Sequence, residues 1–138
     1  MTYLLDTCVV CEMMHETPNP RVSAWFDSVD EHLTFLSALT IGEIRKGIAA
    51  LGKTKRARFL ESWLLQLEAR YATRTKPVDA TVAEVWGEMV AEAEKGGRPR
   101  PVMDSLIAAT AKADSMTLVT RNTADMAYTG VELLNPWE

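Results

Sequence analysis

Five side chains in this 138-residue sequence have the types and positions to build an oxygen-ligand centre: Asp6, Glu43, Asp104, Asn122 and Asp125. Asp6 directly follows the apolar run Tyr3-Leu4-Leu5, and Glu43 falls in the expected first turn of a helix after Leu33–Ser37. Asp104 opens an alanine-rich helical stretch, and Asn122 and Asp125 follow the run Met116–Thr120. Carboxylates gathered at one place repel, raise each other's pKa and destabilise the fold unless a cation or a basic partner joins them. Hard oxygens of this kind suit Mg²⁺ or Mn²⁺, which polarise a phosphoryl oxygen and activate water for in-line attack. Each acid also has a plainer role open to it. Thr40-Ile41-Gly42-Glu43 has the form of a capping box, Asp104 could cap a helix, Asp125 could sit in a turn, and Asp6 could cap a helix beginning near Thr7.

The elements that must position these residues alternate between strand and helix. Short apolar or alternating runs at Tyr3–Leu5, Leu33–Ser37, Met116–Thr120 and Val131–Leu134 read as strands. Helical spacing appears over Thr7–Met14, and over Val22, Trp25, Phe26 and Val29 behind an Asn19 cap with Pro20 at the first position. It recurs at Ile41–Leu51, Phe59–Tyr71, Val82–Ala93 and Asp104–Ala113, while nothing between Tyr71 and Val78 reads clearly as β. The expectation is one α/β domain spanning residues 1–138, with a mostly parallel sheet covered by helices on both faces. Ligands of such sheets lie beyond the carboxyl ends of the strands, which is the edge where all five candidates fall.

Composition narrows the function classes. Fifteen Lys and Arg against nineteen Asp and Glu give a net charge of −4, which argues against a general nucleic-acid coat held by phosphate contacts. The basic residues are local: residues 42–60 carry Arg45, Lys46, Lys53, Lys55, Arg56 and Arg58 against the single acid Glu43, and Arg98 and Arg100 lie in a Gly/Pro loop. Arg45, Lys46, Arg98 and Arg100 are the candidate phosphate contacts, although a solvated basic face reads equally well for the 45–58 group. Two cysteines are too few for a disulfide framework, and the N-terminus lacks a secretory pattern. The expectation is a cytoplasmic protein with no membrane contact.

Three motifs point elsewhere. Gly47-Ile48-Ala49-Ala50-Leu51-Gly52-Lys53-Thr54 satisfies the P-loop string, but a P-loop needs a strand running straight into it, and here a helical stripe does. Cys8-Val9-Val10-Cys11 has the spacing of a thiol-redox motif, yet nearby acids raise a thiol pKa, and two small apolar residues at i, i+3 explain the pattern. His15 and His32 lie away from the acidic edge. The rival readings are a non-catalytic module that docks a basic peptide on the acids, and a thiol enzyme. Phe59 and Leu65 fall outside the main apolar seam of their helix and mark a candidate interface for a second copy or a protein inhibitor.

The words around the acids resemble the PIN-domain toxins of VapC and FitB type. The resemblance rests on Leu4-Leu5-Asp6-Thr7, Ser37–Gly47, Asp104–Ala111, Thr120-Arg121-Asn122-Thr123-Ala124-Asp125 and the ending Gly130–Glu138, in order along nearly the whole chain. It implies a three-layer α/β/α sandwich with strand order 3-2-1-4-5 and Mg²⁺- or Mn²⁺-dependent cleavage of RNA that leaves a 5′-phosphate and a 3′-hydroxyl. Asp6 and Asp104 are implied as direct metal ligands and Glu43 as a ligand or a holder of the metal's water. The fourth position, acidic in some relatives, is here Asn122, with Asp125 three residues on. Thr7, Ser37 and Thr120 resemble the polar residues that hold the acids, and Cys8 stands where relatives usually carry Asn. The resemblance further implies a cognate antitoxin that blocks the site with a basic side chain and carries the DNA-binding domain, so that operator DNA is bound only by the complex; the expected homodimer rests instead on the apolar excess at Phe59 and Leu65.

Overall fold

The computed structural model describes residues 1–138. The four apolar runs form strands β1 (Tyr3–Leu5), β2 (Thr34–Ser37), β4 (Thr117–Val119) and β5 (Leu133–Leu134). A fifth, β3 (Thr75–Lys76), is only two residues long. All pairs are parallel, and the sheet order is β3-β2-β1-β4-β5. The chain runs outward from β1 through β2 to β3 and then crosses back to β4 on the other side of β1. The strand order therefore reverses between β1 and β4, where side chains leaving the two strands face a crevice.

Seven α-helices connect the strands: α1 (Thr7–Met14), α2 (Pro20–Ser28), α3 (Ala38–Ala50), α4 (Lys55–Arg70), α5 (Ala80–Ala93), α6 (Val102–Ala113) and α7 (Thr123–Met126). The period-2 alternation of each strand divides them into two layers. Leu5, Leu36 and Val119 project into a core with Val9, Val10, Ile44, Ile48 and Leu64 from α1, α3 and α4. Leu4 and Leu118 project to the opposite face, against Val82, Met89, Ile107, Ala108 and Ala111 from α5 and α6. Two separate cores on one sheet make the three-layer sandwich. Full burial of each central leucine is worth roughly 1.5–3 kcal/mol, so the core keeps β1 and β4 fixed relative to each other.

Several local readings are corrected. Helix α3 begins at Ala38, capped by Ser37, whose hydroxyl accepts from Leu39 N at 3.1 Å. Thr40 is thus inside the helix, and the expected capping box at Thr40–Glu43 does not form; Glu43 lies in the second turn. Asp104 is not a cap either, since Pro101 occupies that position and Asp104 sits in the first turn of α6. Gly52, with φ of +63°, ends α3 in the left-handed conformation, and Thr54 caps α4. The P-loop string is helix end, turn and cap.

Strand β3, implied by the resemblance but without a clear β pattern of its own, is held by Arg74. Its guanidinium donates to the Thr34 carbonyl at 2.7 Å, to Thr34 Oγ1 at 3.2 Å, to the Arg70 carbonyl at 3.0 Å and to the carbonyl of Glu31, and it stacks 4.3 Å from the Tyr71 ring centroid. This clamp ties the end of α4 to the start of β2 and so sets the register in which Thr75 and Lys76 pair with Leu36 and Ser37. No helix is long and apolar enough to cross a membrane.

Candidate active site

The β1/β4 crevice is occupied by Asp6. Its carboxylate is buried and both oxygens are engaged: Oδ1 accepts from Thr7 N at 2.8 Å, and Oδ2 accepts from the Thr120 hydroxyl at 2.8 Å. The first bond caps α1, so the capping role and the crevice position belong to the same side chain. The second crosses the point where strand order reverses, because Asp6 leaves β1 and Thr120 leaves β4. Thr120 Oγ1 also accepts from Asn122 N at 3.0 Å, which turns the chain after β4 back over the crevice.

Thr7 carries the network to α3. Its hydroxyl donates to Glu43 Oε1 at 2.7 Å and lies 3.0 Å from Thr40 Oγ1. With the single Thr7 proton committed to Glu43, Thr40 is the donor of that pair. Thr40 is a residue the sequence reading used only as a cap, and its full burial at this junction is what permits the chain of hydroxyls. Ser37, named with Thr7 and Thr120 as a support for the acids, accepts from Leu39 N and so caps α3, the helix that carries Glu43.

Asp104 approaches from α6 and has no hydrogen-bond partner of this kind. Its carboxyl is pushed above the ordinary aspartate value, first by partial burial and then by the charges of Asp6, Glu43 and Asp125. Those four carboxylates therefore share one field. Asp125 lies on α7 and is exposed, as is Asn122, whose side chain makes no cap to α7. No three His, Cys, Asp or Glu side chains close into a tight ligand cage. An open set of hard oxygens fits Mg²⁺, which keeps several of its waters and takes only one or two carboxylates directly, better than it fits a metal that needs an all-protein cage.

Cys8 Sγ lies 3.8 Å from both Asp6 Oδ2 and Thr120 Oγ1, a weak contact where an amide would donate. Burial first, then the Asp6 charge, pushes the Cys8 thiol up; burial, then Cys8, Glu43 and Asp6, does the same for Cys11. Raised thiols stay protonated, the opposite of what a redox nucleophile needs. Both cysteines are free.

The basic candidates separate. Arg45 is ion-paired with Glu61 across the α3–α4 seam. Lys46 is exposed, and Lys53–Arg58 follows the end of α3, which lies about 10 Å along the helix from Glu43. Arg98 and Arg100 instead border a cleft of ≈ 520 Å³ with Asp125 and Tyr128, directly beside the acids. Tyr128 had no signal in the sequence, because its neighbour Arg100 is 28 positions away. Burial raises its phenol above the ordinary value, against the lowering effect of Arg100, so it is a hydroxyl donor at neutral pH.

The comparisons with known proteins agree with this geometry. The chain is 38% identical over 135 residues to the toxin FitB of Neisseria gonorrhoeae, covering 97% of each chain. It is 32% identical over 136 residues to the VapC ribonuclease Y4jK of Sinorhizobium fredii, covering 98% of this chain and 97% of that one. The crystal structure of FitAcB from Neisseria gonorrhoeae superposes with a TM-score of 0.91 at 37% identity, covering 99% of both chains. The sequence pattern of the PIN domain matches residues 3–130, and with the 3-2-1-4-5 sheet and the acids at its switch point the chain belongs to the PIN-domain family.

Proposed function

We propose that the chain is a divalent-metal-dependent endoribonuclease and the toxin of a toxin–antitoxin pair. The observation that carries the reading is the hydrogen-bonded chain that fixes Asp6 and Glu43 at the β1/β4 crevice, with the Asp104 carboxyl raised by burial and by its acidic neighbours. Asp6 and Asp104 hold the ion, Glu43 holds it or one of its waters, and Asn122 or Asp125 completes the set. When bound, Mg²⁺ or Mn²⁺ supplies polarisation of a phosphoryl oxygen and a lowered pKa for water. The chain's own work is orientation: Thr7 N and Thr120 fix both oxygens of Asp6, and Thr40 fixes the Thr7 hydroxyl that holds Glu43. Neutralising the raised Asp104 carboxyl against its neighbours favours loading of a cation over an empty site.

The names of the relatives support the biological assignment: FitB is named a toxin and Y4jK a VapC ribonuclease, and a second solved relative is FitAB bound to a DNA fragment. The partner on this reading is an antitoxin that carries the DNA contact and places a basic side chain among the acids, in the cytoplasm. Exposed Phe59 and Leu65 on α4 offer apolar area for a second copy. The test is cleavage of an RNA panel, including tRNA and ribosomal fragments, with and without Mg²⁺, by the unmodified chain and by Asp6→Asn. Mg²⁺-dependent cleavage that Asp6→Asn abolishes is expected; full activity of Asp6→Asn refutes the assignment. A saturable Mn²⁺ site separates this reading from a surface that merely docks a basic peptide.

A further inference from the structure

Two polar atoms beside the acidic crevice are shut off from solvent without a hydrogen-bond partner: Arg100 Nε and the Tyr128 hydroxyl. Buried donors left unmade are costly and call for an explanation. Both residues line the ≈ 520 Å³ cleft, whose remaining wall is Arg98, Pro99, Pro101, Ala124 and Asp125. The Arg100 guanidinium lies 4.1 Å from the Tyr128 ring centroid, so the aromatic face fixes its plane. Its backbone N–H donates to Glu94 Oε2 at 2.9 Å, and prolines on either side fix φ, so the loop is set before anything binds.

We propose that this cleft holds the phosphodiester of an RNA strand next to the scissile one, with Arg100 as the anchor, Tyr128 as its positioning residue and Arg98 as a second charge at the mouth. The inference rests on the nuclease reading above. Its occupant must accept hydrogen bonds, because the guanidinium groups of Arg98 and Arg100 that line the cleft can only donate. It must be anionic, because neither arginine has an ion pair, and a planar guanidinium with a free fork matches a phosphate better than a point acceptor. It must also be continuous with whatever lies over the acids, because Asp125 belongs to both and Asp104 follows Arg100 by four residues. The acids that face the cleft do not cancel it: Glu94 is engaged by the Arg100 backbone, and Asp125 joins the carboxylates that a cation neutralises. The larger basic group at residues 45–58 is less suited, since Arg45 is committed to Glu61, and Lys53 and Arg58 line with that pair a cleft that contains none of the candidate acids.

The test titrates a fluorescein-labelled, mixed-sequence single-stranded RNA 20-mer in Mg²⁺ buffer, in the Asp6→Asn background so that the probe stays intact. Adding Arg100→Gln is expected to weaken Kd about tenfold and to reduce the salt slope by about one. Arg100→Lys recovers less than half of that loss on a logarithmic scale, and Tyr128→Phe loses about threefold. In the unmodified background Arg100→Gln raises KM for RNA with kcat changed less than threefold. An unchanged Kd and salt slope overturns the proposal. So does loss of antitoxin binding with RNA affinity intact, which would make the cleft a peptide-docking surface. Arg98→Gln, on an exposed side chain, asks the same question without burdening the fold: a shallower salt slope supports the proposal and an unchanged one overturns it. A chain that neither binds nor cuts any RNA brings down the nuclease reading itself, an outcome distinct from silence at Arg100 alone.

Discussion

The two halves of the acidic edge are built differently. Asp6 and Glu43 are held by a continuous chain of hydroxyls and one backbone N–H, running from Thr120 on one side to Thr40 on the other. Asp104 and Asp125, on helices that pack against the opposite face of the sheet, have no such supports and contribute mainly repulsion. The held half is finished by folding alone. The other half is left frustrated, so on the proposed reading a cation would both complete the site and relieve that repulsion, coupling metal affinity to stability.

The largest expected effect is in the held half: Asp6→Asn lowers kcat/KM for RNA cleavage about 10³-fold, equivalent to about 4 kcal/mol, while circular dichroism stays native because Asn still caps α1. Removing a support instead of a ligand is gentler on chemistry and harsher on folding. Thr120→Val is expected to weaken Mn²⁺ binding about 10- to 100-fold, and to cost about 1–3 kcal/mol in urea melts by stranding Asp6 Oδ2 and Asn122 N. If Thr120→Val leaves metal affinity unchanged, the contrast between the halves fails.

In the frustrated half the signs reverse. A carboxyl whose folded pKa lies above its unfolded value binds protons more tightly in the native state, so stability falls as pH rises from the ordinary aspartate value through the raised one. Metal-free protein is therefore expected to gain from Asp104→Asn at neutral pH and not at low pH, and saturating Mg²⁺ should erase the gain. Paired urea melts at two pH values, with and without Mg²⁺, read this directly. A stabilisation equal at both pH values would break the argument.

How much of this was legible depended on whether the cause was local. Asp6 could be placed because Tyr3-Leu4-Leu5 is a short apolar run whose end is also the end of a central strand. The start of α3 is masked in the sequence because Ser37 serves as both last strand residue and helix cap, so its capping signal hides inside the strand pattern and Thr40 presents the more evident cap. Strand β3 had no apolar signature at all; it exists because Arg74 clamps Thr34 forty residues away. The pairing of Arg100 with Tyr128 is likewise a product of tertiary packing. Arg74→Gln should accordingly cost about 2–3 kcal/mol of stability through lost charge-assisted bonds, with metal affinity at the distant crevice retained.

The smallest effect tests a strained turn. Ser115 has φ of 54°, a left-handed conformation that follows α6 as it turns toward β4. Ser115→Gly is expected to stabilise by up to about 1 kcal/mol in urea melts, with cleavage unchanged.

The brevity of β3 and β5 has a consequence for self-assembly. Both outer strands of the sheet are two residues long, so hardly any unpaired backbone ladder is offered to a passing chain. Growth by edge-to-edge strand addition, the route from native sheet to fibre, is starved of a template. Contacts between copies are left to side chains on helical surfaces, which can be matched, selected and undone.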